Sequence, residues 1–227
     1  MSRRAFTLIE LLVVISVLAL LAALLYPAVS GALASARISK DSKQLGDLAQ
    51  AIIVWRANIG HPTSLHFPGR IMDLSDASKG GPLDGEYSIY LSAADASKGN
   101  DSSLGAGGLG DNWGPVHEQG CSYLYECSNR PSPWSLPEGA ASADPTWADY
   151  KRWQKRYGNR DDAGNPAPFS EDVIPVLRCF YHFNWESATS QDLRNTARVL
   201  NAAWSTRVYW SIPYWEHQAN PSIPFQE

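Results

Sequence analysis

A run of apolar side chains long enough to cross a lipid bilayer, AFTLIELLVVISVLALLAALLYPAV at residues 5–29, constrains this chain more than any other feature. From Leu11 to Val29 the only polar character is Ser16 and the amphipathic Tyr26. An α-helix rises ~1.5 Å per residue, so such a run spans a hydrocarbon core ~30 Å thick. Arg3 and Arg4 stand on its short side, and one carboxylate, Glu10, sits at its head. A basic short flank predicts a cytoplasmic N-terminus with the bulk of the chain on the far side of the membrane. Of the 227 residues, enough follow the run to form one domain with its own core.

Two readings of this segment compete. A secretory signal has a basic start, a short apolar core and a small-residue cleavage site, and Ala32-Leu33-Ala34 and Ala34-Ser35-Ala36 supply such sites. Against it, the apolar run is long for a signal core, and the helical pattern continues through those sites without a break. The reading adopted is a retained anchor.

The string Ala5-Phe6-Thr7-Leu8-Ile9-Glu10-Leu11-Leu12-Val13-Val14-Ile15 resembles the class III signal segment of bacterial type IV pilins and type II secretion pseudopilins. The likeness covers the leader and the apolar run and says little beyond residue 60. It implies that a prepilin peptidase cuts between Ala5 and Phe6, that Phe6 is N-methylated, and that the apolar run stays in the mature protein. Glu10 matches the family's glutamate, and Pro27 falls where these helices commonly carry a proline. One departure is Ala5, where the family usually has Gly before the cut. The resemblance further implies a pilin-like α+β fold, with a long N-terminal helix packed on a small antiparallel sheet. It implies a structural role without catalysis, as a major or minor subunit of a type IV pilus or a type II secretion pseudopilus. The implied partners are homologous pilin-like subunits met through the N-terminal helix, the prepilin peptidase and an inner-membrane assembly platform. The implied location is the bacterial inner membrane, single-pass with a periplasmic head, or the assembled filament.

Glu10 has a physical reading of its own. A carboxylate costs ~2.5–3.5 kcal/mol at the centre of a span and less near the interface, and it calls for a partner. Once the leader is removed, the α-amino group of Phe6, from the same subunit or a neighbour, supplies one.

Beyond the span, residues 28–59 predict a continuing helix. Ile38, Leu45, Leu48, Ala49, Ile52 and Ile53 recur at three- and four-residue steps, with Lys40, Asp41, Lys43, Gln44, Asp47, Gln50 and Arg56 largely between them. That pattern has one stripe to bury, and Gly60 followed by Pro62 ends it. Ser16, Ala19, Ala22, Ala23, Gly31 and Ala34 permit close helix approach, while Pro27 gives up a backbone hydrogen bond and allows a kink. The expected division is a leader at 1–5, a transmembrane assembly helix at 6–29, its amphipathic continuation at 30–60, and a head at 61–227 packed on 38–59.

Within the head, residues 71–75 predict a short helical turn, 92–112 a long surface loop and 113–125 a strand. A helix is expected with Asp144 as N-cap, Pro145 in its first turn and Gly158 as its stop. Tyr150, Trp153 and Tyr157 fall on one side of it, among Lys151, Arg152, Lys155 and Arg156. Interleaved basic and aromatic residues can grip single-stranded nucleic acid. Here Asp144, Asp149, Asp161 and Asp162 flank the cluster, and the whole chain carries a net charge of -4. A packed surface helix with snorkelling stems is therefore preferred over a nucleic-acid partner. Residues 173–183, 196–204 and 207–213 predict strands, with Pro175 at an edge or at a strand's start.

Three cysteines, Cys121, Cys127 and Cys179, allow one disulfide of undetermined pairing, or three buried thiols. No cofactor is expected. Asp101, Asp111 and Asn112 are weak calcium candidates, prompted by the calcium-holding loop of major pseudopilins, but no EF-hand spacing is present. The five histidines form no HExxH, and neither GxSxG nor a phosphate loop occurs. No enzyme is indicated, and His182, next to Phe183, reads as packing. A rival of another class is a membrane-tethered binding module whose exposed Trp and Tyr recognise a surface glycan or a secreted substrate.

Overall fold

The structure is a computed structural model that describes residues 8–61, 66–100, 118–132, 136, 144–158, 167–183, 185 and 189–219. The chain divides into two compact units, Met1–Ser39 and Lys40–Glu227. Helix α1 (Leu8–Asn58) contributes to both and runs through Pro27 without interruption. It stops at Gly60, whose φ of 77° is left-handed, a conformation glycine takes without steric cost. The amide of His61 then closes back on the Arg56 carbonyl at 2.9 Å.

The second unit is a long-helix-plus-sheet α+β arrangement, as the resemblance implied. Its sheet has four antiparallel strands in the order β1 (Leu124–Tyr125), β2 (Pro175–Cys179), β3 (Val199–Ala203), β4 (Val208–Ser211). Pro175 opens β2, and a bulge between Pro175 and Leu177 absorbs its missing N–H, so a proline-bearing segment serves as an interior strand. Strands β3 and β4 form a hairpin whose turn places Thr206 at φ 73°. The strand expected over 113–125 shrinks to two residues among those described.

Residues of α1 at three- and four-residue steps (Leu45, Leu48, Ile52, Trp55) join Leu177, Leu200 and Ala202 in one apolar core. The buried face also carries Asp41, Gln44 and Arg56, three residues the periodicity had assigned to the polar side. Arg56 is tolerated because Nε donates to the His66 carbonyl at 2.7 Å and its guanidinium lies 4.2 Å from the centre of the Phe67 ring.

The expected turn at Ile71–Ser75 is present as a 3-10 helix. Residues 92–100 correct the surface-loop expectation. Ser92 and Asp95 are buried, and Asp95 accepts from Ser97 N, Gly99 N and Ser122 Oγ at 2.6–2.7 Å. A polar sequence here builds interior structure, because its own serines and amides satisfy the carboxylate.

Helix α2 (Trp147–Tyr157) begins two residues later than expected. Thr146, not Asp144, is its N-cap, in a reciprocal capping box with Asp149. Gly158 ends it as expected. Two short helices, α3 (Ser190–Asn195) and α4 (Trp215–Ala219), were not anticipated.

Candidate functional sites: an exposed apolar helix and a buried polar centre

Along α1, every residue from 8 to 37 is exposed, including Leu8, Leu24 and Tyr26 at 78%, 68% and 77%. Apolar surface left against water costs ~25 cal/mol per Å², so this helix requires lipid or other apolar helices around it. Ser16 Oγ donates to the Leu12 carbonyl at 2.8 Å and Ser30 Oγ to the Pro27 carbonyl at 2.9 Å, so these two hydroxyls need no partner from the surroundings. Glu10 lies in the first turn, on an exposed face. A methyl group added at Gly31 would meet nothing within 4 Å, so no contact among the described residues accounts for glycine there. Ala5 and Phe6, the expected cleavage site, lie outside the described residues.

In the second unit, Asp41 anchors a polar centre. Its carboxylate accepts from Ser92 Oγ at 2.5 Å, Ala93 N at 2.7 Å and Tyr123 OH at 3.3 Å, and Oδ2 stands 3.0 Å from His182 Nε2. Burial pushes this carboxyl up, but His182, Ser92 and Ala93 together hold it below its ordinary 3.8. Gln44, one turn on, accepts from Tyr123 OH at 3.1 Å and donates to the Ser88 carbonyl at 3.0 Å.

A second centre lies at the sheet. Arg178 of β2, 2% exposed, reaches Glu126 Oε1 at 3.2 Å, Asn201 Oδ1 at 3.1 Å and the Pro213 carbonyl at 2.6 Å. Lys151 of α2, 1% exposed, binds the other Glu126 oxygen at 2.9 Å and lies 4.7 Å from the Trp215 ring. Lys151 is thus interior, which corrects the snorkelling expectation for that side chain. Arg152 and Lys155 are also paired, with Asp149 and Glu171. Arg156 stays exposed, its guanidinium 5.3 Å from the centre of the Tyr157 ring. The aromatic ladder is real: Tyr150, Trp153 and Tyr157 follow one another at centroid distances of 6.2 and 6.1 Å.

Cys121, Cys127 and Cys179 are free and buried, and burial pushes each thiol up to about 12. Of the two alternatives left open for the cysteines, the structure has them as buried thiols. Asp101, Asp111 and Asn112, the calcium candidates, lie outside the described residues.

Of the residues singled out in the sequence, Glu10 and Pro27 share α1. Asp41, Glu126, Lys151, Arg178 and His182 were missed as site residues. One signal for Asp41 was present: the buried stripe, stepped back from Leu45 by four, lands on it. Nothing local marks Arg178.

Comparison with known proteins adds the following. Residues 1–26 match the family model for the prokaryotic N-terminal methylation motif. A segment of 85 residues, 37% of the chain, is 29% identical to a probable inorganic carbon transporter subunit DabA of Marinobacter nauticus. The chain covers 10% of that relative's length, too little to carry over its activity. No solved structure matches the chain.

Proposed function

We propose, on the premise that this chain carries the prepilin-type methylation segment of type IV pilins and type II secretion pseudopilins, that it is a structural subunit, major or minor, of such a filament. One observation carries the reading: the methylation motif leads directly into a helix exposed on all sides over residues 8–37. The prepilin peptidase cuts between Ala5 and Phe6 and methylates Phe6. The helix then holds the subunit in the inner membrane, N-terminus cytoplasmic and head periplasmic, until it packs against the helices of other subunits. Glu10 neutralises the new α-amino group of a neighbour during stacking, an ion pair favoured in apolar surroundings because neither charge has water as an alternative.

N-terminal mass spectrometry of the protein from its native membrane tests the processing step. The expected start is N-methylated Phe6, and a mature protein beginning near Arg37 overturns the reading. The Glu10→Ala variant should insert normally yet enter filaments poorly when co-expressed with wild type. Equal incorporation of the two would remove Glu10 from assembly.

A further inference from the structure

The end of β2 and the turn after it bring two metal-binding side chains, Cys179 and His182, against a third, Asp41 of α1. A carboxylate oxygen of Asp41, the Cys179 sulfur and a His182 ring nitrogen all lie within 4.8 Å of one another. Asp41 and Cys179 are fully buried, and the His182 side chain is 5% exposed. His182 Nε2 is 3.0 Å from Asp41 Oδ2, yet among the described residues it makes no hydrogen bond of acceptable geometry. The separation suits an N–H···O bond and the direction does not, since such a bond needs the N–H aimed at the oxygen. Two atoms so placed converge on a third point between them. Ligands held ~2.0–2.1 Å from one tetrahedral ion stand about 3.3 Å apart, close to what is observed.

We propose that Asp41, Cys179 and His182 bind one divalent transition-metal ion of the zinc class, with a water held by Ser92 Oγ in the fourth position. The donor set selects the ion: calcium and magnesium take oxygen ligands, whereas a thiolate, an imidazole and a carboxylate suit zinc. Cys179 and His182 are separated by two residues in sequence at a strand end, a spacing that lets both reach one ion. Ser92 Oγ lies 2.5 Å from Asp41 Oδ2 and 3.8 Å from Cys179 Sγ. Every protein donor is buried, so the ion is structural. It ties α1 to the end of β2, and its binding energy adds to folding stability.

The test uses the full-length processed protein in detergent, stripped with chelator and titrated with Co²⁺ alone. The expected result is a thiolate-to-cobalt charge-transfer band with tetrahedral d–d absorption, saturating at one ion per chain. Zn²⁺ should bleach it and raise Tm by about 5–10 °C at ~100 times its Kd. Cys179→Ser should abolish the charge-transfer band, and Cys127→Ser, at a thiol outside the cluster, should leave it intact. His182→Gln should lower zinc affinity by more than the ~10–100-fold that loss of an outer hydrogen bond brings. A folded wild-type protein that gives no thiolate–cobalt band overturns the proposal, as does a band that survives in Cys179→Ser. If Cys179→Ser does not fold, the wild-type spectrum decides alone.

Discussion

Asp95 carries four hydrogen bonds on a carboxylate only 7% exposed: two from amides, and two from the hydroxyls of Ser97 and Ser122. Burial pushes its carboxyl up, but the donors from Ser122, Ser97 and Gly99 outweigh burial and hold it below the ordinary 3.8. A depressed carboxyl stabilises the fold above its unfolded value, and that contribution is lost as pH falls through the folded one. Asp41 acts with the same sign. Glu118 and Glu216, raised by burial, act oppositely: their contribution is present below 4.5 and lost as pH rises. A variant isolates one group from this balance. Asp95→Asn should cost about 2 kcal/mol at pH 7, because an NH₂ then faces donors, lowering Tm by about 4–8 °C. The gap between variant and wild type should narrow as pH falls below the ordinary 3.8 and through the depressed folded value, where Asp95 takes up its proton. Thermal melts across that range check it, and a gap independent of pH would remove the carboxylate charge from the account.

At the scale of the element, α2 shows where local rules work and where they slip. Its stop was legible because only glycine suits the backbone of Gly158, at φ 62° and ψ −159°. Its start was misplaced because Asp144-Pro145 and Thr146 both offer good entry chemistry, and the reciprocal bond from Asp149 decides between them. Thr146→Ala should therefore cost about 1 kcal/mol. Gly158→Ala should cost about 3 kcal/mol, since a Cβ there would sit 1.5 Å from the Ala167 carbonyl oxygen. Denaturant melts that rank the two the other way would show that α2's end is not tied to residue 167. In β2, Pro175 signalled a strand's start, which it is, but the position of β2 between β1 and β3 left no trace in its own residues.

For the molecule as a whole, the two units answer to different solvents. Residues 8–37 expose apolar side chains throughout, whereas residues 40–227 bury an apolar core together with charged groups. Self-association through the first is directly testable, because all three native thiols are buried. A Leu24→Cys substitution supplies the one accessible thiol among the described residues. It should give disulfide-linked dimers in oxidised native membranes, while the unsubstituted protein gives none; absence of dimers would indicate a solitary tether. The amino-acid order alone determined the anchor, the length of α1, its stop and its apolar stripe, since each depends on residues within a few turns of one another. The tertiary structure alone decided which charges are interior. Glu126 meets Arg178 across 52 positions and Asp41 meets Tyr123 across 82. A buried charge survives only where such distant partners converge on it, and no local pattern records that convergence.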